Sequence, residues 1–146
     1  MEPTRSPRHS VSVAGVILDA DGSHVLLVKR RDNGRWEPPG GVLELGESIE
    51  AGLRREVREE TGVEVDVEGL SGVYKNMTHG IVALVFRCMA TSEPLNEAEE
   101  AVAVAWQPVD QLDSLMPPAY AVRVRDALTL GPAAIRAHDG VEILTS

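Results

Sequence analysis

The sequence predicts an α/β domain in which a mixed β-sheet lies between helices. Three features predict it: several β-branched apolar runs, two stretches with helical spacing, and strand-like runs on both sides of the first of those stretches. A chain of 146 residues with 43% apolar content is large enough for one domain with its own core, and it carries no internal repeat or low-complexity tract. Residues 1–10, rich in Pro, Arg and Ser without periodicity, read as a flexible tail, which leaves residues 11–146 as a single domain.

The first two strands are VSVAGVIL, starting at Val11, and SHVLLVKR, ending at Arg30, joined by a tight turn over Asp19 to Gly22. Between Trp36 and Gly41 two prolines and two glycines predict a shaped loop without regular structure. Helical spacing follows: Ile49, Leu53 and Val57 recur at i, i+4 and i+8. Ser48 is a suitable N-cap, Glu50 suits the first turn and Gly62 the C′ position, so the helix should span Ser48 to Thr61. VEVDV, LSGVY, IVALVFRCMA and AVAVAW read as four further strands, and in the third Cys88 alternates onto the side of Val82, Leu84 and Phe86 as a core residue. A second helix is expected from Ala119 to Leu130, with Tyr120, Val124 and Leu128 on one face, ended by Gly131-Pro132. Residues 133–146 carry no strong signal.

Charge narrows the functional classes. With 14 Lys plus Arg against 23 Asp plus Glu, a net charge of −9 and five aromatics, the chain lacks the basic stripe and stacking platforms of a general nucleic-acid binder. No apolar run approaches membrane-span length and residues 1–10 lack a signal-peptide core, so the expected compartment is cytoplasmic with no membrane partner. The single cysteine excludes an internal disulfide and a zinc cluster. Ten of the 23 acidic residues fall between Glu37 and Glu68, and four more between Glu93 and Glu100. A smaller basic group, Lys29, Arg30, Arg31 and Arg35, precedes the first acidic stretch.

Rotation of about 100° per residue brings Glu56, Glu59 and Glu60 onto one arc of the first helix, beside its apolar stripe. Glu56 and Glu60 are like charges at i, i+4, which costs about 0.2 to 0.5 kcal/mol in an isolated helix. A solvated acidic face is one explanation; a hard divalent cation bound through carboxylate oxygens, and bridging to phosphate, is the other. Gly52 within the helix and Gly40-Gly41 before it favour the second, because each permits a close approach that a side chain would block.

Gly41, Glu47 and the run Arg55-Glu56-Val57-Arg58-Glu59-Glu60-Thr61-Gly62-Val63 match GX5EX7REUXEEXGU, the Nudix box, at every defined position. The chain therefore resembles a Nudix hydrolase over roughly Val11 to Leu130. That resemblance implies an α/β/α sandwich, and a loop, helix, loop unit that binds Mg²⁺ or Mn²⁺ and hydrolyses a nucleoside diphosphate linked to another moiety. It implies Glu56, Glu59, Glu60 and the Gly40 carbonyl as metal ligands, and Glu47 and Arg55 as supporting catalytic residues. A further acidic residue is expected before the AVAVAW strand: Glu100 first, with Glu97 and Glu99 as alternatives. The general base stays open among Glu56, Glu59 and that residue.

Substrate markers of several subclasses are missing. Met77 stands near the position where some ADP-ribose members carry proline; Thr78, His79 and Gly80 stand where some dinucleoside-polyphosphate members carry tyrosine; no coenzyme A signature precedes the box. Elimination leaves a nucleoside triphosphate as the leading substrate class. Arg35, Trp36 and Tyr74 are the expected substrate contacts, with Phe86 and Tyr120 as further aromatics able to stack. The alternatives are a non-catalytic nucleotide sensor or interaction module on the same fold, or an ADP-sugar or dinucleotide pyrophosphatase. Either a monomer or a homodimer suits the expected assembly.

Overall fold

The computed structural model describes residues 6–93 and 101–145. Two sheets form the frame. The larger has six strands in the order β4-β1-β6-β5-β8-β9: β1 Ser10–Ile17, β4 Gly40–Val42, β5 Val65–Asn76, β6 Ile81–Ala90, β8 Ala134–His138 and β9 Ile143–Thr145. It is mixed, because β1 runs parallel to β6 and β5 parallel to β8 while the other pairs are antiparallel. The smaller sheet is antiparallel: β3 Trp36–Glu37, β2 His24–Arg30 and β7 Ala101–Pro108.

Helices α1 (Ile49–Thr61) and α3 (Pro118–Leu128) cover opposite faces, and a single turn, α2 (Leu112–Leu115), precedes α3. Alternation along β1 sends Val13 and Ile17 into one core with Leu53 and Val57 of α1, and Ala14 and Val16 into the other with Val124 and Ala127 of α3. Cys88 joins the α1 side, fully buried, and burial pushes its thiol up to about 12. The first helix has the expected ends: Ser48 Oγ accepts from Ala51 N at 3.3 Å, and Gly62 closes it at φ 76°. Among the described residues no helix is long and apolar enough to cross a membrane.

Several expectations are corrected. The Trp36 to Gly41 segment contains the short strands β3 and β4, since the two prolines break pairing only where they stand. VEVDV and LSGVY are one strand, β5, whose pairing with β6 shifts register between Val67 and Gly69 and between Leu70 and Gly72, so its alternation is interrupted. Ser10, expected in the tail, begins β1, and its N–H donates to Gly80 O. Residues 133–146 supply β8 and β9, held by pairing to β5 and not by a pattern of their own. Helix α3 buries Ala119, Ala121, Arg123, Val124 and Ala127, while Leu128, expected on its inner face, is exposed.

A polar cluster ties α3 to the sheet. Tyr74 Oη donates to Asp126 Oδ2 at 2.7 Å, and Arg136 donates to both Asp126 oxygens at 2.8 and 2.7 Å. Burial alone would raise the Asp126 carboxyl, but the bonds from Arg136 and Tyr74 outweigh it and hold the group below the usual range. A lowered native value means its stabilisation is whole above about pH 5 and is lost as pH falls through that lowered value. Asp126→Asn should therefore lower folding stability by about 1.5 to 3 kcal/mol at pH 7 and flatten the acid limb of stability against pH. Denaturant melts from pH 7 to pH 3 check this, and an unchanged acid limb would refute it.

Candidate active site

Helix α1 presents its acidic arc to the β4 strand and the loop behind it. Glu56 is buried and Glu59 and Glu60 are half-buried at the edge of the core, where the helical spacing places them. Arg55 links them. Its Nε and Nη2 donate to Glu47 at 2.9 and 2.6 Å, its Nη1 donates to Glu56 at 3.0 Å and Glu59 at 3.2 Å, and Nη2 also reaches the Val42 carbonyl at 3.3 Å. A planar fork that engages Glu47 through two nitrogens fixes both partners. Hydrogen bonds from Arg55 and from the Glu44 N–H hold the Glu47 carboxyl down at about 2, and Glu47 in turn raises the Arg55 guanidinium above its ordinary value.

Two glycines make this packing possible. A side chain at Gly52 would run into Leu43 Cδ1 and Glu47 Oε1, so the helix glycine leaves space for two loop side chains, one of which, Glu47, engages Arg55. A side chain at Gly41 would collide with the Glu56 carboxylate. Glu60 is tied to the same strand, accepting from the Gly40 N–H at 2.7 Å.

Glu56, Glu60, Gly40 and Gly41 line a cleft of about 480 Å³ together with Lys29, Arg30 and Arg31. Carboxylate and carbonyl oxygens are the donors hard divalent cations prefer, and three carboxylates, Glu47, Glu56 and Glu59, share the Arg55 guanidinium while Glu60 stands beside them, so the donor chemistry and the charge balance both suit Mg²⁺ or Mn²⁺. As they stand, no three His, Cys, Asp or Glu side chains among the described residues are grouped closely enough to enclose an ion. Glu59 and Glu56 are turned to Arg55, and Glu60 to the Gly40 N–H.

Gly40, Glu47, Arg55, Glu56, Glu59 and Glu60 thus come together, whereas the expected substrate contacts do not join them. Tyr74 is fully buried, hydrogen-bonded to Asp126 and covered by the Arg123 guanidinium at 5.1 Å, so no base can stack on it. Trp36 lies half-buried against the α3-side core and lines neither this cleft nor the cavity described next. Arg35 sits over the Tyr120 ring at 5.3 Å and also lines neither. Glu97, Glu99 and Glu100 lie outside the described residues.

A second cavity, of about 170 Å³, adjoins the cleft through shared Arg30, Gly40, Gly41 and Val42. Arg123 and His138 line it, both buried, and neither was singled out from the sequence. A signal for Arg123 was present: it stands three residues after Tyr120 and beside Val124, a charge among the inner positions of an otherwise apolar helix face.

Comparison with known proteins agrees with this geometry. Residues 8–128 match the NUDIX domain. A MutT-like protein of Streptomyces ambofaciens is 50% identical over 143 residues, covering 98% of this chain and 92% of that protein. A putative 8-oxo-dGTP diphosphatase of Bacillus subtilis is 30% identical over 114 residues, 77% of this chain and 76% of its own length. In fold, the chain is similar to the crystal structure of a NUDIX hydrolase from Nitrosomonas europaea, with a TM-score of 0.72 at 21% identity over 92% of this chain and 82% of the other. With the box residues gathered around Arg55 and the match spanning most of its length, the chain belongs to the Nudix hydrolase family.

Proposed function

We propose that the protein is a pyrophosphohydrolase that cleaves a nucleoside triphosphate with the help of Mg²⁺ or Mn²⁺. The observation that carries this reading is the cleft in which Glu56 and Glu60 stand against the Gly40-Gly41 backbone, with Lys29, Arg30 and Arg31 on the same wall. The acidic side suits a cation and the basic side suits the phosphate chain. The name borne by the Bacillus subtilis relative supports a triphosphate substrate.

Gly40 O, Glu56, Glu59 and Glu60 would hold the metal, which when bound neutralises the diphosphate oxygens and makes the attacking water more acidic. The remaining work falls to the protein. Lys29 and Arg31 attract the phosphate chain, and Arg30, paired with Asp32 and Glu37, offers a more fixed positive edge. Glu47 and Arg55 keep Glu56 and Glu59 oriented, and one of these carboxylates removes the proton from water. No covalent enzyme intermediate is needed. A purely nucleotide-sensing module would not require the intact set Glu56, Glu59 and Glu60, two of which line the cleft.

Glu59→Gln and Glu60→Gln remove charge at nearly constant volume, and each should lower turnover about a hundredfold or more while the melting temperature stays close to wild type. EDTA should abolish wild-type activity, and Mg²⁺ should restore it. Full activity in both variants would overturn the assignment.

For Glu47→Gln the expected outcome is different. Because this side chain touches Arg55 and not the cleft, its loss should cut kcat about 10- to 100-fold and raise the Mg²⁺ concentration the rate requires, with excess metal recovering part of it. Rate against Mg²⁺ concentration, measured with a mixed nucleoside triphosphate panel and product analysis for pyrophosphate, decides the point.

A further inference from the structure

Arg123 is an unusual buried cation. It is only 8% exposed, its Nε has no hydrogen-bond partner, and among the described residues it ion-pairs with no carboxylate. Its guanidinium lies over the rings of Tyr74 and Tyr120, 5.1 and 4.5 Å from their centroids. A ring face attracts the cation but offers no lone pair to its N–H groups.

The remaining neighbour is His138, whose Nε2 is 3.4 Å from Arg123 Nη2. His138 Nδ1 accepts the Gly140 N–H at 2.9 Å, so a neutral ring carries its proton on Nε2. Burial and the adjacent guanidinium both favour that neutral form. The two groups therefore meet donor to donor, and neither satisfies the other. Asn76, a third buried polar residue of this wall, uses its Oδ1 on the Thr78 and His79 N–H groups, which leaves its amide hydrogens as donors too. An oxygen acceptor placed in the cavity is what this wall lacks.

A carboxylate also lines the cavity: Glu37, whose Oε1 accepts from Arg30 Nη1 at 2.9 Å and whose negative charge acts on Arg123. A phosphate group would have to lie against that carboxylate, whereas a neutral carbonyl beside a ring N–H would satisfy both walls. Since the cavity opens beside Gly40 and Gly41, a planar group held there continues directly to the cleft of Glu56 and Glu60.

We propose that this cavity is the specificity pocket for the nucleobase, and that Arg123 with the His138 Nε2–H selects bases bearing a lactam edge over adenine and cytosine. The lactam edge, a carbonyl next to a ring N–H, is shared by guanine, hypoxanthine, uracil and thymine. Its carbonyl takes the donors of Arg123 and His138, and its N–H turns to Glu37. The proposal rests on the pyrophosphohydrolase reading, and it makes Arg123 a residue that touches substrate. A site built to hydrogen-bond a carbonyl rejects an amino analogue strongly, because its buried donors are then left unpaired.

ITP and ATP are the cleanest probes, since the first offers the lactam edge and the second an amino group in its place. Wild type should prefer ITP in kcat/KM by about tenfold or more. In Arg123→Met the preference should fall to within about threefold, chiefly through KM, while the melting temperature is not lowered, because the unpaired buried charge is replaced by an apolar side chain of similar length. Arg123→Lys keeps charge without the planar fork and should lose most of the preference as well, which provides the readout if the Met variant fails to fold. Equal use of ITP and ATP by wild type, or an unchanged ratio in a folded variant, would overturn the proposal. Calorimetric binding of IMP and AMP to wild type separates the two readings: if no triphosphate is hydrolysed, the pyrophosphohydrolase reading fails, while about tenfold tighter IMP binding still supports the pocket and equal binding refutes it.

Discussion

The active face depends on one guanidinium. Arg55 is the point at which the loop before α1, the helix itself and the β4 strand are fastened, through Glu47, through Glu56 and Glu59, and through the Val42 carbonyl respectively. Without it, three or more carboxylates would crowd one helix arc at half-buried positions, where like charges repel more strongly than in water. The spacing that looks unfavourable on an isolated helix becomes tolerable because the cation is inserted among them. Gly52 and Gly41 belong to the same device: one makes room for the Glu47 and Leu43 side chains, the other for the Glu56 carboxylate.

That device was legible in the sequence because it is local. Everything from Gly41 to Val63 lies within one loop and one helix, so residue spacing translates directly into proximity, and the caps at Ser48 and Gly62 mark where the helix starts and stops. The two cores were legible for a related reason, since β-branched runs such as residues 11–18 and 81–90 declare strands whatever they pair with. What could not be read is what depends on pairing at a distance. β8 follows no periodic pattern and is a strand because Ala134 to His138 lie in register with Gly72 to Asn76. The same pairing carries His138 beside Arg123, so the second cavity is assembled from residues more than 60 positions apart along the chain, such as Asn76 and His138. No motif spans such a distance.

Tyr74 illustrates the opposite failure. An aromatic near the expected site invites a role in stacking, yet a tyrosine is also a large apolar body with one polar tip, and β5 turns it inward, where the tip finds Asp126. Burial raises its hydroxyl well above the ordinary value, and the bond to Asp126 acts in the same direction, so it remains a neutral donor. Its contribution to the second cavity is indirect: its ring face supports the Arg123 cation.

The contrast between buried Arg123 and half-buried Arg136 beside α3 then acquires a meaning. Asp126 stands three residues after Arg123 on that helix and could in principle have served as its counter-ion. It is instead saturated by Arg136, which takes both oxygens, and by Tyr74, which takes one of them again. Arg136 is thus a structural cation with its charge balanced inside the fold, while Arg123 lies against two ring faces with its Nε unpartnered and its Nη2 facing only the His138 ring. An unpaired buried cation lowers stability, and a fold that places a carboxylate within one helical turn yet directs it elsewhere keeps that cation available for something outside the chain. The Nudix box is what this chain shares with its family, and under the proposal made here the neighbouring donors are what distinguish its substrate.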